Sequence, residues 1–221
     1  MKRGVLGSAL VLAGMLAVGE RAAAQVPAAA GAPEVFYGLG VGADILGNSG
    51  DLGVCAPASG GGERCLRITA PAGGGASLFV GLRPSEFVGV VLTYDAFFHR
   101  GEDLDAYALA TLQSVRADAR FFLLPGWLVD PYLQAGAGLY LLGDEYDAAV
   151  AGGGFQLGGG VDVYLAPILS AGLNVLYRGI YFGEFDIGRG DMPWASGDGR
   201  VQEGLIHDVT VLLDLTVHSG Y

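Results

Sequence analysis

One lysine, Lys2, stands in a chain of 221 residues, and charged residues of all kinds make up only 16% of it. The 12 basic side chains are outnumbered by 23 acidic ones. That balance excludes a nucleic-acid binder, because phosphates must be met by a basic surface. Cysteine occurs twice and histidine three times. Cys55 and Cys65 have no other Cys or His nearby to complete a metal site. Long apolar runs are also missing after the N-terminal segment. Segment 121–142 is cut by Pro125 and Pro131 and contains Asp130 and Gln134; segment 165–182 contains Pro167, Asn174 and Arg178. Neither supplies the ~18 unbroken apolar residues of a transmembrane helix. Glycine, with 39 copies, and apolar residues, at 52%, are what the chain has in abundance. So much apolar material rules out a disordered polypeptide.

The first 24 residues read as an address. Lys2 and Arg3 give a positive start, 5–19 is an apolar run, and Ala22-Ala23-Ala24 precedes Gln25. These are the parts of a secretory signal peptide, with cleavage expected between Ala24 and Gln25. The apolar run is short of the ~20 residues that span a bilayer. Removal of Lys2, Arg3, Glu20 and Arg21 leaves 9 basic and 22 acidic residues, a net charge of −13. Residues 25–33 (QVPAAAGAP) form a short leader, and 34–221 remain as a single folded unit.

That unit has a period of two. In 208–221, Val209, Val211, Leu213, Leu215 and Val217 alternate with Asp208, Thr210, Asp214, Thr216 and His218. A helix would scatter the polar residues around its circumference, whereas a strand gathers them on one face. The same parity recurs over 35–46, 76–83, 86–98, 113–123, 131–142, 153–165 and 169–182, making eight strands. The links 83–86, 124–130 and 165–168 are short and each contains Pro, while 47–75, 99–108, 143–152 and 183–204 are longer and polar. Short and long links alternate, as in an up-and-down meander with one rim of turns and one of loops.

Composition decides which face points inward. The polar faces hold most of the strand glycines together with Asp44, Arg83, Asp95, Arg116, Asp118, Arg120, Asp162, Arg178, Asp208 and Asp214. A soluble surface would be rich in Lys and Glu, with few glycines. Small residues mixed with Arg and Asp suit a narrow lumen instead, which leaves the apolar faces for lipid. Aromatics group near the strand ends, with Phe36, Tyr37, Trp127, Tyr132, Tyr164 and Tyr221 at the turn rim. Phe97, Phe98, Phe155, Tyr177, Tyr181 and Phe182 lie at the loop rim. The expectation is two interfacial girdles.

A signal peptide, eight alternating strands, tight turns on one rim and an aromatic last residue resemble the small outer-membrane β-barrel proteins of the OmpA-transmembrane-domain and OmpX type. The resemblance covers 34–221. It implies an all-β, eight-stranded antiparallel up-and-down transmembrane β-barrel in the cell outer membrane, surrounded by lipid and lipopolysaccharide. It also implies that the barrel-assembly machinery reads the last strand, where Leu213, Leu215, Val217 and Tyr221 fit the pattern.

Eight strands leave an interior just wide enough for side chains to fill. Isolated charges there are expensive, so the ten Arg and Asp residues are expected to pair with one another. Mixed signs favour a polar plug over an ion pathway, with Arg116, Asp118 and Arg120 as its hub. Cys55 and Cys65 fall in the first long loop, and outside the cytoplasm they read as a disulfide. The loops are acidic, with Glu102, Asp103, Asp105, Asp144, Glu145 and Asp147 among their residues. They lack EF-hand spacing and read as solvated loops, so no metal is expected. Gly152–154 and Gly158–160 lack the G-K-[ST] ending of a phosphate loop. His99 and His207 lie near the outer strand ends, yet no Ser follows any His by two residues, and Ser219 adjoins His218 at the opposite rim. No nucleophile, base and orienter can be assembled, and neither catalysis nor a cofactor is expected. The expected function is structural or surface-interactive, performed by a monomer whose surface ligand stays unidentified. The alternatives are a narrow channel for small solutes and a lipid A-modifying enzyme.

Overall fold

The computed structural model describes residues 33–47, 53–57, 63–68, 72–102, 107–143, 149–182, 200–201 and 204–219. The expected cleavage point at Ala24 and Gln25, the terminal Tyr221 and most of the acidic loop residues lie outside them. Eleven strands follow in chain order: β1 (Glu34–Leu46), β2 (Gly53–Pro57), β3 (Glu63–Ile68), β4 (Ala72–Arg83), β5 (Val88–Glu102), β6 (Tyr107–Phe122), β7 (Val129–Gly143), β8 (Ala149–Ala166), β9 (Leu169–Phe182), β10 (Arg200–Val201) and β11 (Gly204–Ser219). Eight of them close a ring, β1–β4–β5–β6–β7–β8–β9–β11, in which every neighbour is antiparallel. The seam pairs Val35 with Ser219 and runs without a slip to Leu46 with Asp208. No helix among the described residues is long and apolar enough to cross a membrane.

Alternation along each stave sorts side chains by chemistry, since a strand points successive residues to opposite faces. Leu39, Leu78, Leu92, Leu139 and Leu213 face out, with Leu139 72% exposed. Asp44, Asp95, Arg116, Asp118, Arg178 and Asp208 face in and are buried. A sheet with a dry exterior and ionised side chains inside is inverted relative to a water-soluble barrel.

The barrel wall departs from the sequence-based expectation in strand length and in the placing of its aromatics. First, β5, β6, β7 and β8 run further than expected, so their links shrink to 103–106 and 144–148. Backbone pairing continues past the apolar belt, from Phe98↔Thr111 up to Glu102↔Tyr107, where side-chain parity no longer marks a strand. Second, only part of the aromatic set forms girdles. Tyr37, Trp127, Phe98, Phe155, Tyr177 and Tyr181 face outward. Phe36, Tyr132, Tyr164, Phe97 and Phe182 are buried in the lumen instead. Glycines on neighbouring staves receive these rings: a Cβ on Gly81 would meet the Phe36 ring at 2.2 Å, and one on Gly160 would meet the Tyr132 hydroxyl at 2.5 Å. An aromatic on the polar parity of a Gly-rich strand thus fills the space its neighbour leaves empty.

Three short strands lie above the loop-side rim. β3 pairs with the upper end of β5 (Arg67↔Glu102, Ile68↔Gly101), β2 pairs with β3, and β10 pairs with β2. Cys55 and Cys65 are direct partners in the β2–β3 register.

Candidate functional site

The lumen is the chemically distinctive part of the molecule, and it is layered. At mid-height Arg116, on β6, donates from Nε to Asp95 Oδ2 at 2.6 Å and from Nη1 to Asp118 Oδ2 at 3.1 Å. Ser114 donates to the same Asp95 oxygen at 2.9 Å. Gln156 donates to Asp118 Oδ1 at 2.7 Å and accepts from the Tyr140 hydroxyl at 3.1 Å. Across the lumen, Arg178 on β9 donates to Asp44 Oδ1 at 2.6 Å and pairs with Asp208. Its second amino group stands 3.8 Å from Asp95, which joins the two clusters. Thr210 donates to Asp44 at 3.1 Å, and His99 Nε2 lies 3.2 Å from the other Asp44 oxygen. Burial makes these charge-assisted bonds short and directional, and makes any unpaired member costly.

Apolar side chains border this belt. One inward step toward the loop rim, Asp44 gives way to Leu46, Asp95 to Phe97, Ser114 to Leu112, Tyr140 to Leu142, Arg178 to Ile180 and Asp208 to Ile206, all six buried. Toward the turn rim lie Leu176 and Leu212, then the cluster Phe36, Phe79 and Val91. The ionised belt is therefore capped on the loop side by a dry layer, while on the turn side Leu176 and Leu212 alternate with Asn174, Arg120 and Asp214. Low dielectric strengthens the pairs within the belt.

The ten charges expected to line the lumen are all buried, but they do not form one network. Arg116 and Asp118 join the central cluster, whereas Arg120 points the other way. It donates to Gln134 Oε1 at 3.1 Å and lies 4.5 Å over the Tyr132 ring. Asp162 and Asp214 flank Gly172 in register, and Asp214 Oδ1 finds no hydrogen-bond partner. Arg83 closes the turn-side end, paired with Asp130 at 3.1 Å and stacked 3.7 Å over Phe122. Asp130 also accepts from the Leu124 amide at 3.3 Å, pinning the β6–β7 turn. By sequence Asp130 falls in the 124–130 link, and its parity with Tyr132 and Gln134 is the one signal that marks it as lumen-facing.

One histidine also differs from expectation. His99, expected at a loop edge, is buried inside the barrel against Asp44. His218 stands on the floor of the lumen, with Ser170 Oγ 2.8 Å from its Nε2 and Glu34 Oε1 against its Nδ1. Ser170, His218 and Glu34 thus meet from β9, β11 and β1. Residues 34, 170 and 218 have no spacing that would announce them. His207 stays outside, 2.5 Å from the Tyr177 hydroxyl, and Tyr177 packs 6.3 Å from Phe155. Among the described residues no group of three or more His, Cys, Asp or Glu side chains is arranged to hold a metal ion.

No family model matches the chain, and no curated protein matches it in sequence. Solved structures do match its shape. The barrel is similar to Neisserial surface protein A, at 16% identity and a TM-score of 0.52, over 82% of this chain and 96% of that one. It is similar to outer membrane protein OprG from Pseudomonas aeruginosa, at 14% identity and a TM-score of 0.53, over 87% of this chain and 98% of that one. These likenesses show the fold: the eight-stranded antiparallel barrel of small outer-membrane proteins.

Proposed function

We propose that this chain is exported through cleavage between Ala24 and Gln25 and inserts into an outer membrane as a monomeric, plugged barrel. Its main role is structural and surface-interactive rather than conductive. The single observation that carries this reading is the ion-paired belt around Arg116 and Arg178, capped by a dry layer on the loop side, inside a wall whose outer face is apolar. Two Arg shared among Asp44, Asp95, Asp118 and Asp208 cross-link staves from both sides of the lumen. They leave no one-signed ring of the kind that selects ions.

The wall meets lipid and, on its outer leaflet, lipopolysaccharide. Leu213, Leu215, Val217 and Tyr221 serve as the signal for the barrel-assembly machinery. Cys55 and Cys65 form a disulfide that holds the β2–β3 hairpin. In support, residues directly opposite in an antiparallel pair have Cα atoms ~4.5–5.5 Å apart, within the span a disulfide bridges. The long loops present the surface that partners meet.

Cell fractionation combined with protease treatment of intact cells tests the placement. The chain is expected in the outer-membrane fraction, clipped only in the loop regions 47–71 and 183–203, with the barrel left as a protected core. Recovery as a soluble monomer without detergent would overturn the proposal.

A further inference from the structure

We propose that Ser170 is an activated nucleophile, with His218 as its base and Glu34 as the residue that positions that base, on the turn-side floor of the lumen. The arrangement rests on three hydrogen-bonding groups from three staves. Glu34 opens β1, Ser170 is the second residue of β9, and His218 lies near the end of β11. A carboxylate only accepts, so the Nδ1 facing Glu34 carries the proton, and the Nε2 facing Ser170 is left with its lone pair. Ser170 Oγ, 2.8 Å away, then donates to Nε2. This is the tautomer and order of contacts by which a hydroxyl gives its proton to imidazole as it attacks.

The surroundings match that role. Tyr164 is the direct cross-strand partner of Ser170 and its ring lies 4.9 Å from that of His218, so it covers the pair. Arg83, paired with Asp130, donates to the Tyr164 hydroxyl at 3.5 Å and so holds that ring over the floor. Phe36, 6.3 Å from the imidazole, supplies an apolar wall. Ser170 is fully buried, so a substrate must be small and must displace the Tyr164 ring to reach it. The matching class is a small carboxylic ester. Oγ bonds to the carbonyl carbon while its proton passes to Nε2; the C–O bond to the alcohol breaks as Nε2 returns that proton to the departing oxygen. Water then hydrolyses the acyl-serine by the same proton path, releasing the acid and restoring the hydroxyl.

A fluorophosphonate probe tests the site on the folded barrel in detergent. Its phosphorus bonds to Oγ and fluoride leaves. The wild-type protein is expected to take one label, mapped to Ser170 by mass spectrometry. Ser170→Ala abolishes it, and His218→Gln slows it by ~100-fold. Glu34→Gln slows labelling, while Glu34→Asp, which keeps the carboxylate, restores most of the rate. Tyr164→Ala accelerates it by uncovering the hydroxyl. Heat-modifiable gel mobility verifies that each variant is folded, and Ser170→Cys, expected to react with a thiol-directed probe, covers the case in which the alanine variant misfolds. Absence of label from both the wild type and Tyr164→Ala, or a label that survives Ser170→Ala in folded protein, overturns the proposal. Failure here leaves the plugged-barrel reading untouched, because that reading is tested by location and proteolysis.

Discussion

Arg178 shows what a single side chain contributes in this interior. It is fully buried, donates to Asp44, pairs with Asp208 and approaches Asp95. Arg178→Met removes the cation and strands those carboxylates, at an expected cost of about 3–5 kcal/mol. Urea titration of the barrel in vesicles should show this as a lowered unfolding midpoint. Adding Asp208→Asn to Arg178→Met should recover part of the loss, since it neutralises one stranded charge; strictly additive losses would show that the pairing is not the source. The identity of such residues was legible in the sequence, because Asp and Arg on the polar parity of an inverted strand have nowhere else to go. Their partners were not. Whether Arg120 meets Asp118 or Gln134 depends on strand stagger, and Gln134 lies on a different stave. Glu34 was hidden for another reason: one charge at a strand start looks like a solvated terminus.

Among the strands, the parity rule was a good guide and the endpoints were not. Leu78 stands at the middle of β4, flanked in register by Leu39 and Tyr94 on neighbouring staves, and is 61% exposed. Leu78→Arg therefore puts a charge against lipid, at an expected cost of about 2–4 kcal/mol near the midplane. Folding yield into vesicles measures it. Leu78→Asn should be tolerated better, and an arginine accepted there without penalty would mean that this face does not meet acyl chains. Alternation identified all eight staves because one-sided burial imposes it. It could not say where β5 and β6 stop, since their upper ends owe their pairing to backbone hydrogen bonds. It does separate Phe98, which faces out, from neighbouring Phe97, which fills the lumen; the girdle grouping does not. Both are aromatics at one strand end, and a girdle read from position along the chain alone merges the two faces.

For the molecule as a whole, the layered interior sets conduction. An ion crossing the lumen would have to pass the ring containing Leu46, Phe97 and Ile180, then separate Arg178 from its carboxylates. The purified barrel in a planar bilayer is expected to give no steady current steps. Reproducible steps of constant size that disappear when Arg116 or Asp118 is reversed in charge would show an open path and overturn the plug. The closed ring was foreseeable from eight staves with alternating links. The extension of the sheet by β3, β2 and β10 was not, because short strands within loop sequence carry no parity to announce them.

The seam between β1 and β11 has one more consequence. Val35 and Ser219 sit side by side, so the two ends of the barrel wall emerge together from the turn-side rim. A short tether joining them, with the chain reopened in the β4–β5 turn at 84–87, would produce a circular permutant with every stave in its original place.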